Sequence, residues 1–207
     1  MEKKAVLGAF SAMIEAVNQN EAMLNELDST IGDAEHGLNL KRGFGIISDK
    51  LEGLKDLEPA MIIKKAGTAL AGAGCGSGPI FYGLAIRAAG DSLVNSGGDS
   101  PKDVALALSA ALSIIKEKGG AQVGYKTMVD AIEPASLAFS ESADNGLGMK
   151  ECFDAAVEAA RKGMEATAGM VGLKGRGFHA GERALNHQDP GATSAYILLK
   201  SIRDTIA

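Results

Sequence analysis

Tryptophan is absent from this 207-residue chain, and three tyrosines and six phenylalanines bring the aromatic share to only 4%. Sheets favour aromatic and β-branched side chains, whereas this alanine-rich composition, 46% hydrophobic overall, points to helices packed through small residues. Two cysteines, Cys75 and Cys152, are too few for a disulfide framework and form no CxxC pair. Both read as reduced thiols, Cys152 as a packing residue. Three scattered histidines exclude a zinc pattern. The five prolines mark no Pro-rich linker, and the length suits one domain spanning residues 1–207. A net charge of only -5 argues against a general nucleic-acid or membrane-surface role, although Lys174 and Arg176 form a local basic pair that can meet phosphate. Ser11 and Glu15 interrupt the first apolar run, so the N-terminus resembles neither a signal peptide nor a membrane span, and a cytoplasmic protein is expected.

What is present is helical periodicity. Val6, Phe10, Met13, Ile14 and Val17 share a face, and Asn20 is a candidate cap for a short second helix carrying Leu24 and Leu27. Further helices are expected over 38–54, 60–70, 80–94, 127–140, 149–168 and 192–206. Ser100-Pro101 opens another with a capping serine and a first-turn proline. Roughly eight helices joined by loops predict an all-α antiparallel bundle or barrel, and no fixed-period repeat supports a solenoid.

Between two amphipathic runs, residues 27–39 gather three carboxylates (Asp28, Asp33, Glu35), one imidazole (His36) and two glycines (Gly32, Gly37). Carboxylates without thiols suit a hard cation such as Mg2+, which leaves coordination positions to water or substrate phosphates. The spacing fails the calcium-loop pattern. By itself the segment reads equally well as a solvated acidic turn.

The run Gly72-Ala73-Gly74-Cys75-Gly76-Ser77-Gly78-Pro79 would expose backbone N–H groups at a helix start, a favourable place for phosphate. It lacks the Gly-Lys-Ser/Thr of a Walker loop and the Rossmann spacing, and alone it reads more readily as an interhelical turn. Nearer the C-terminus, Lys174-Gly175-Arg176-Gly177 and His187-Gln188-Asp189-Pro190-Gly191-Ala192-Thr193-Ser194 read as loops flanking Gly181-Glu182-Arg183. In them His187 and Asp189 can simply fix a turn, and His179 is left without a role.

Taken together, the blocks LDSTIGDAEHGLNLKRGF, GCGSGPIFYG, GYKTMVDAIEPA and GRGFHAGERALNHQDPGATS resemble, in order and spacing, the nucleotide-binding L subunit of dihydroxyacetone kinases. The resemblance spans essentially the whole chain. It implies an eight-helix up-and-down barrel with ADP (or ATP) and two Mg2+ ions at one end. In the phosphotransferase-dependent members ADP stays bound as a cofactor, is recharged by a phosphohistidine donor subunit, and passes phosphate to dihydroxyacetone on a K-type subunit. Carried onto this chain, the resemblance implies metal binding by Asp28, Asp33 and Glu35. It implies phosphate and nucleotide contacts at His36, Gly37, Leu38, Asn39, Gly76, Ser77, Gly119, Met128, Arg176, Gly191, Ala192 and Thr193.

Three positions depart from the family pattern. Glu35 stands where Asp is usual, Cys75 and Gly76 replace Gly and Ala or Thr, and Tyr125 replaces the Asp beside Lys126, which together mark a divergent member. The expected activity is that of a phosphotransferase subunit inactive on sugar without its partner. An ATP-dependent L subunit of a related ketose kinase and a nucleotide-sensing module binding a regulator are the alternatives. A homodimer is left open, and neither the sugar nor a catalytic side chain is specified.

Overall fold

The computed structural model describes residues 2–206 and, among them, contains helices and no strand. Eight long helices carry the architecture: α1 (Lys3–Ile31), α2 (His36–Leu54), α3 (Pro59–Ala71), α4 (Ser77–Ser96), α5 (Pro101–Gly119), α6 (Val129–Asp144), α7 (Met149–Ala166) and α9 (Pro190–Arg203). A short α8 (Gly175–Ala180) lies in the long connection between α7 and α9, with 3-10 turns on either side. The expected break at Asn20 does not occur. Phe10, Met13, Val17, Leu24, Asp28 and Ile31 keep one face of α1 buried throughout, and Asn20 merely donates to the Ala16 carbonyl (2.8 Å) within that helix. The start of α5, by contrast, is as expected. Ser100 accepts from the Asp103 N–H while the Asp103 carboxylate accepts from the Ser100 N–H, and Pro101 occupies the first turn.

Each long helix packs against its neighbours in sequence, and α9 closes the circle by lying between α7 and α1. Short connections make sequential neighbours antiparallel. The closest approaches are made by glycine. A Cβ on Gly83 would overlap the Ala71 backbone, and one on Gly67 or Gly90 would overlap the backbone of Arg87 or Lys64, so α3 and α4 touch main chain to main chain. In α6, Pro134 removes the N–H that would bond the Asp130 carbonyl, and Gly163 of α7 packs directly against that oxygen.

The ring encloses an apolar cavity of about 580 Å³, lined by residues of α1, α3, α4, α5, α6, α7 and α9. At one end a second, more polar cavity of about 270 Å³ lies among the C-terminal ends of α1 and α5 and the N-terminal ends of α2, α4, α6 and α9. Ile115 lines both, and the buried Tyr82 presents its ring to the first. No helix among the described residues is long and apolar enough to cross a membrane.

Candidate functional site

Asp28 is the buried anchor of the polar cavity. It lies in the last turn of α1, and its carboxylate accepts from the backbone N–H groups of Glu35 (3.1 Å) and His36 (3.2 Å), doing for α2 what a capping side chain normally does. A Cβ on Gly32 would collide with this carboxylate, so glycine is required there. Burial and the neighbouring Asp33 push the Asp28 carboxyl up, whereas the two N–H donors pull it down. Asp33, exposed, pairs with Arg176 of α8 (2.5 Å) across the mouth of the cavity. Two carboxylates side by side, with one cation reaching in from outside, form a donor set that a divalent ion would relieve of its repulsion. Glu35 stands exposed and outside the cavity lining, and among the described residues no three His, Cys, Asp or Glu side chains come together as a metal cage. The residues present therefore fit a Mg2+ that takes two protein carboxylates and completes its shell with phosphate and water.

The helix ends around the cavity differ in what they offer. At α2 the first N–H groups are already used: Asp28 takes two, and Asn25 Oδ1 accepts from Leu38 (3.0 Å). Gly37 is buried where a Cβ would overlap the Glu21 carbonyl. Hence His36 and Asn39 line the cavity, whereas Gly37 and Leu38 fix the approach of α1 to α2 behind it. At α9, Asp189 caps the helix by accepting from Ala192 (2.7 Å), and the Thr193 N–H bonds the Asp189 carbonyl. Gly191 reaches the cavity, whereas Ala192 and Thr193 are buried outside its lining. The start of α4 is the open one. Its N-cap is Gly76, at φ 90, with no capping side chain, and Ser77 and Gly78 line the cavity while Gly76 packs beside Asn39. Such an end presents oriented N–H groups to an anion.

His36 is held from behind by a chain of hydroxyls. Its Nε2 lies 2.9 Å from Ser194 Oγ, which lies 2.7 Å from Tyr82 Oη, with the Gly191 carbonyl accepting at 3.0 and 3.1 Å. Burial first, and Arg176 second, lower the pKa of the imidazole to about 4, so it is neutral near pH 7. Phe81, Ile115, Ala121, Met128 and Val129 supply apolar lining, and Gly119, packed on Phe81, and Lys174 line the cavity as well. The lining thus combines carboxylates, an imidazole and an open helix end with a set of apolar side chains.

Asp130 lies behind the cavity wall, and Lys126 and Asp189 are part of that wall; all three are buried. Asp130 accepts from the Gly124 N–H (2.5 Å) and the Thr127 N–H (2.7 Å), shaping the loop before α6. Burial pushes the Asp189 carboxyl up to about 7 from an ordinary 3.8. The stability that comes from retaining this proton is full below about 3.8 and is lost as pH rises through about 7. Asp189→Asn, which keeps a capping oxygen, should therefore gain stability relative to the parent chain as the pH is raised across that window. Chemical denaturation of both proteins checks it, and parallel pH dependences would contradict it.

Of the positions singled out in the sequence, Asp28, Asp33, His36, Asn39, Ser77, Gly119, Met128, Arg176 and Gly191 converge on this cavity. Phe81, Ile115, Ala121, Lys126 and Asp189 line it too, and none of them is among the site residues expected from the sequence. Phe81 carried a hint, as an aromatic just after the glycine-rich turn. The turn-fixing role expected of Asp189 is what its bond to Ala192 performs.

Residues 30–204 match the DAK2 domain. The ADP-binding subunit DhaL of the PEP-dependent dihydroxyacetone kinase of Escherichia coli (strain K12) is 34% identical over 180 residues, 86% of this chain and 85% of that protein. The ADP-binding subunit of the PEP-dependent dihydroxyacetone kinase 2 of Listeria innocua is 31% identical, over 97% of this chain and 92% of its own length. Among solved structures, the dihydroxyacetone kinase of C. freundii in complex with AMP-PNP and Mg2+ superposes with a TM-score of 0.75 at 25% identity. All of this chain is covered, and it spans about a third (34%) of that kinase. A closed ring of helices, a carboxylate-bearing cavity at one end, and a match through most of the length agree in one assignment: the chain belongs to the DAK2 domain family.

Proposed function

We propose that this chain is the ADP-binding phosphoryl-transfer subunit of a kinase for dihydroxyacetone or a related short ketose. In this reading it works in the cytoplasm with a K-type sugar-binding subunit and a phosphohistidine donor subunit. The observation that carries the reading is the cavity itself, whose lining joins paired carboxylates and an uncapped helix start to apolar side chains that suit a nucleotide base. Similarity to relatives named as ADP-binding subunits, and to a kinase bound to AMP-PNP and Mg2+, supports it.

In this account Asp28 and Asp33 hold the ion, with Glu35 at the rim as the carboxylate left for a second one. Bound Mg2+ supplies charge neutralisation for the phosphates during transfer. The protein's own part is positioning. The α4 start and Asn39 face the phosphates, His36 offers a neutral imidazole whose orientation Ser194 and Tyr82 fix, and Phe81, Ile115 and Met128 receive the base. Leu173 and Phe178, exposed apolar side chains beside the mouth, suit a surface that another subunit covers.

Arg176 has two tasks in this account. It meets phosphate when nucleotide is bound, and it sits on Asp33 otherwise. Arg176→Ala should weaken ADP binding about tenfold, since the pair is half exposed and its charge screened. The same variant should lower the Mg2+ concentration needed for half-saturation, because Asp33 is then free. Titration of ADP at fixed Mg2+, and of Mg2+ at fixed ADP, separates the two effects, and no change in either would return Arg176 to the solvated surface.

Measuring the nucleotide carried by the freshly purified chain, and whether it exchanges, tests the functional assignment. Tightly held ADP, retained through washing and rephosphorylated by a phosphohistidine donor, is the expected result. Freely exchanging ATP that drives sugar phosphorylation would make the chain an ATP-dependent subunit. Nucleotide binding without transfer to any K-type partner would make it a sensing module.

A further inference from the structure

Lys126 is almost completely buried (1% exposed), and its ammonium faces four main-chain carbonyls. Nζ donates to Thr167 (2.6 Å), Ala184 (2.7 Å), His187 (2.7 Å) and Met170 (3.1 Å), all in the connection between α7 and α9. An ammonium has three protons, so the four oxygens saturate its donors and share a single point charge. The backbone of Lys126 is left-handed (φ 60), a conformation unfavourable for a residue with a Cβ and kept only where the surroundings demand it. The oxygens come from both ends of the excursion that carries α8: Thr167 and Met170 where it leaves α7, Ala184 and His187 where it returns to α9. The methylene stem lies against Gly177 of α8 itself, 3.9 Å from where a Cβ would stand. Without the ammonium, those carbonyls would be left buried with unmet hydrogen-bonding capacity.

We infer that Lys126 is a positioning residue, an internal cation that gathers both ends of the 167–187 segment and so sets α8 and Arg176 over the nucleotide cavity. It does the work that a bound monovalent ion would do in a carbonyl cage. The inference rests on the nucleotide reading for its effect on binding, but not for its effect on the segment. Only a compact donor serves. Arginine's planar fork cannot aim at four oxygens around one point, and methionine fills the stem's channel without donating.

The test compares K126A, K126M and K126R with the parent chain, with and without propylammonium, the group that K126A lacks beyond Cβ. Two quantities are read: hydrogen exchange of backbone amides in 170–187 without nucleotide, and the dissociation constant of ADP in the presence of Mg2+. In all three variants exchange in the segment should rise about tenfold or more while amides of α3 and α4 keep their protection, and ADP binding should weaken about ten- to a hundredfold. Propylammonium should restore both quantities in K126A and neither in K126M. Unchanged exchange in the variants, rescue absent in K126A or equal in K126M, or loss of the whole helical barrel in K126A and K126M alike would overturn the inference. If the parent chain itself binds no ADP with Mg2+, the nucleotide reading falls, and the exchange measurement still decides the role of Lys126.

Discussion

Replacing Asp33 with Ala should abolish Mg2+-dependent nucleotide binding while leaving the helical barrel intact. The residue is exposed, lies in the turn between α1 and α2, and is tied through its side chain to Arg176 rather than to the core. Loss of a group that merely orients a metal ligand costs about ten- to a hundredfold, so loss of a ligand itself should exceed about a hundredfold. Asp28→Ala should do the same and also loosen the start of α2, because the N–H groups of Glu35 and His36 lose their acceptor. Glu35→Asp, at an exposed position, should preserve or tighten binding. Titration alongside circular dichroism checks the series, and retained Mg2+-dependent binding in Asp33→Ala would remove the carboxylate pair from the ion site.

The largest expected effect on stability lies at Gly83, in the contact of α4 with α3. A valine there must push α4 off the backbone of Leu70 and Ala71, and main chain cannot yield as the end of a flexible side chain can. Overpacking of this kind costs about 3 kcal/mol, which for a domain of this size lowers the Tm by about 10 °C. Gly45, within α2, has nothing near the position its Cβ would take. Gly45→Ala should therefore raise stability by about 0.5–1 kcal/mol through helix propensity. Thermal melts of the two variants should move in opposite directions. A Gly83→Val protein that melts with the parent chain would show that α3 and α4 can separate at little cost.

Much of the architecture was legible because the helices are long, amphipathic and bounded by ordinary signals, as at Ser100-Pro101. Asn20 misled because a capping residue type also serves inside a helix, where it donates to the turn before it. At the site, the singled-out residues that line the cavity are mostly those whose side chains reach forward, such as His36, Asn39 and Arg176. Of those that do not line it, Glu35 stands exposed and Gly76 packs beside Asn39, whereas Gly37, Leu38, Ala192 and Thr193 belong to helix starts whose N–H groups are already taken by Asn25 and Asp189 or whose Cα packs on another helix. Such prior claims depend on partners elsewhere in the chain and leave no local trace. Lys126 is the clearest case. Its partners are carbonyls, which every residue has, lying 41 to 61 positions away, so no pattern of residue types announces them. Phe81 and Ile115 were hidden differently, since an apolar residue at helical spacing looks the same whether it faces a core or a ligand.

That the carboxylate end of the barrel holds a nucleotide through a divalent ion is tested most directly by calorimetric titration of ADP into the nucleotide-stripped chain, once with Mg2+ and once with a chelator. Saturable binding of one ADP per chain with Mg2+, and a large loss of affinity without it, is the expected result. Equal affinity under both conditions, or no binding under either, would contradict it.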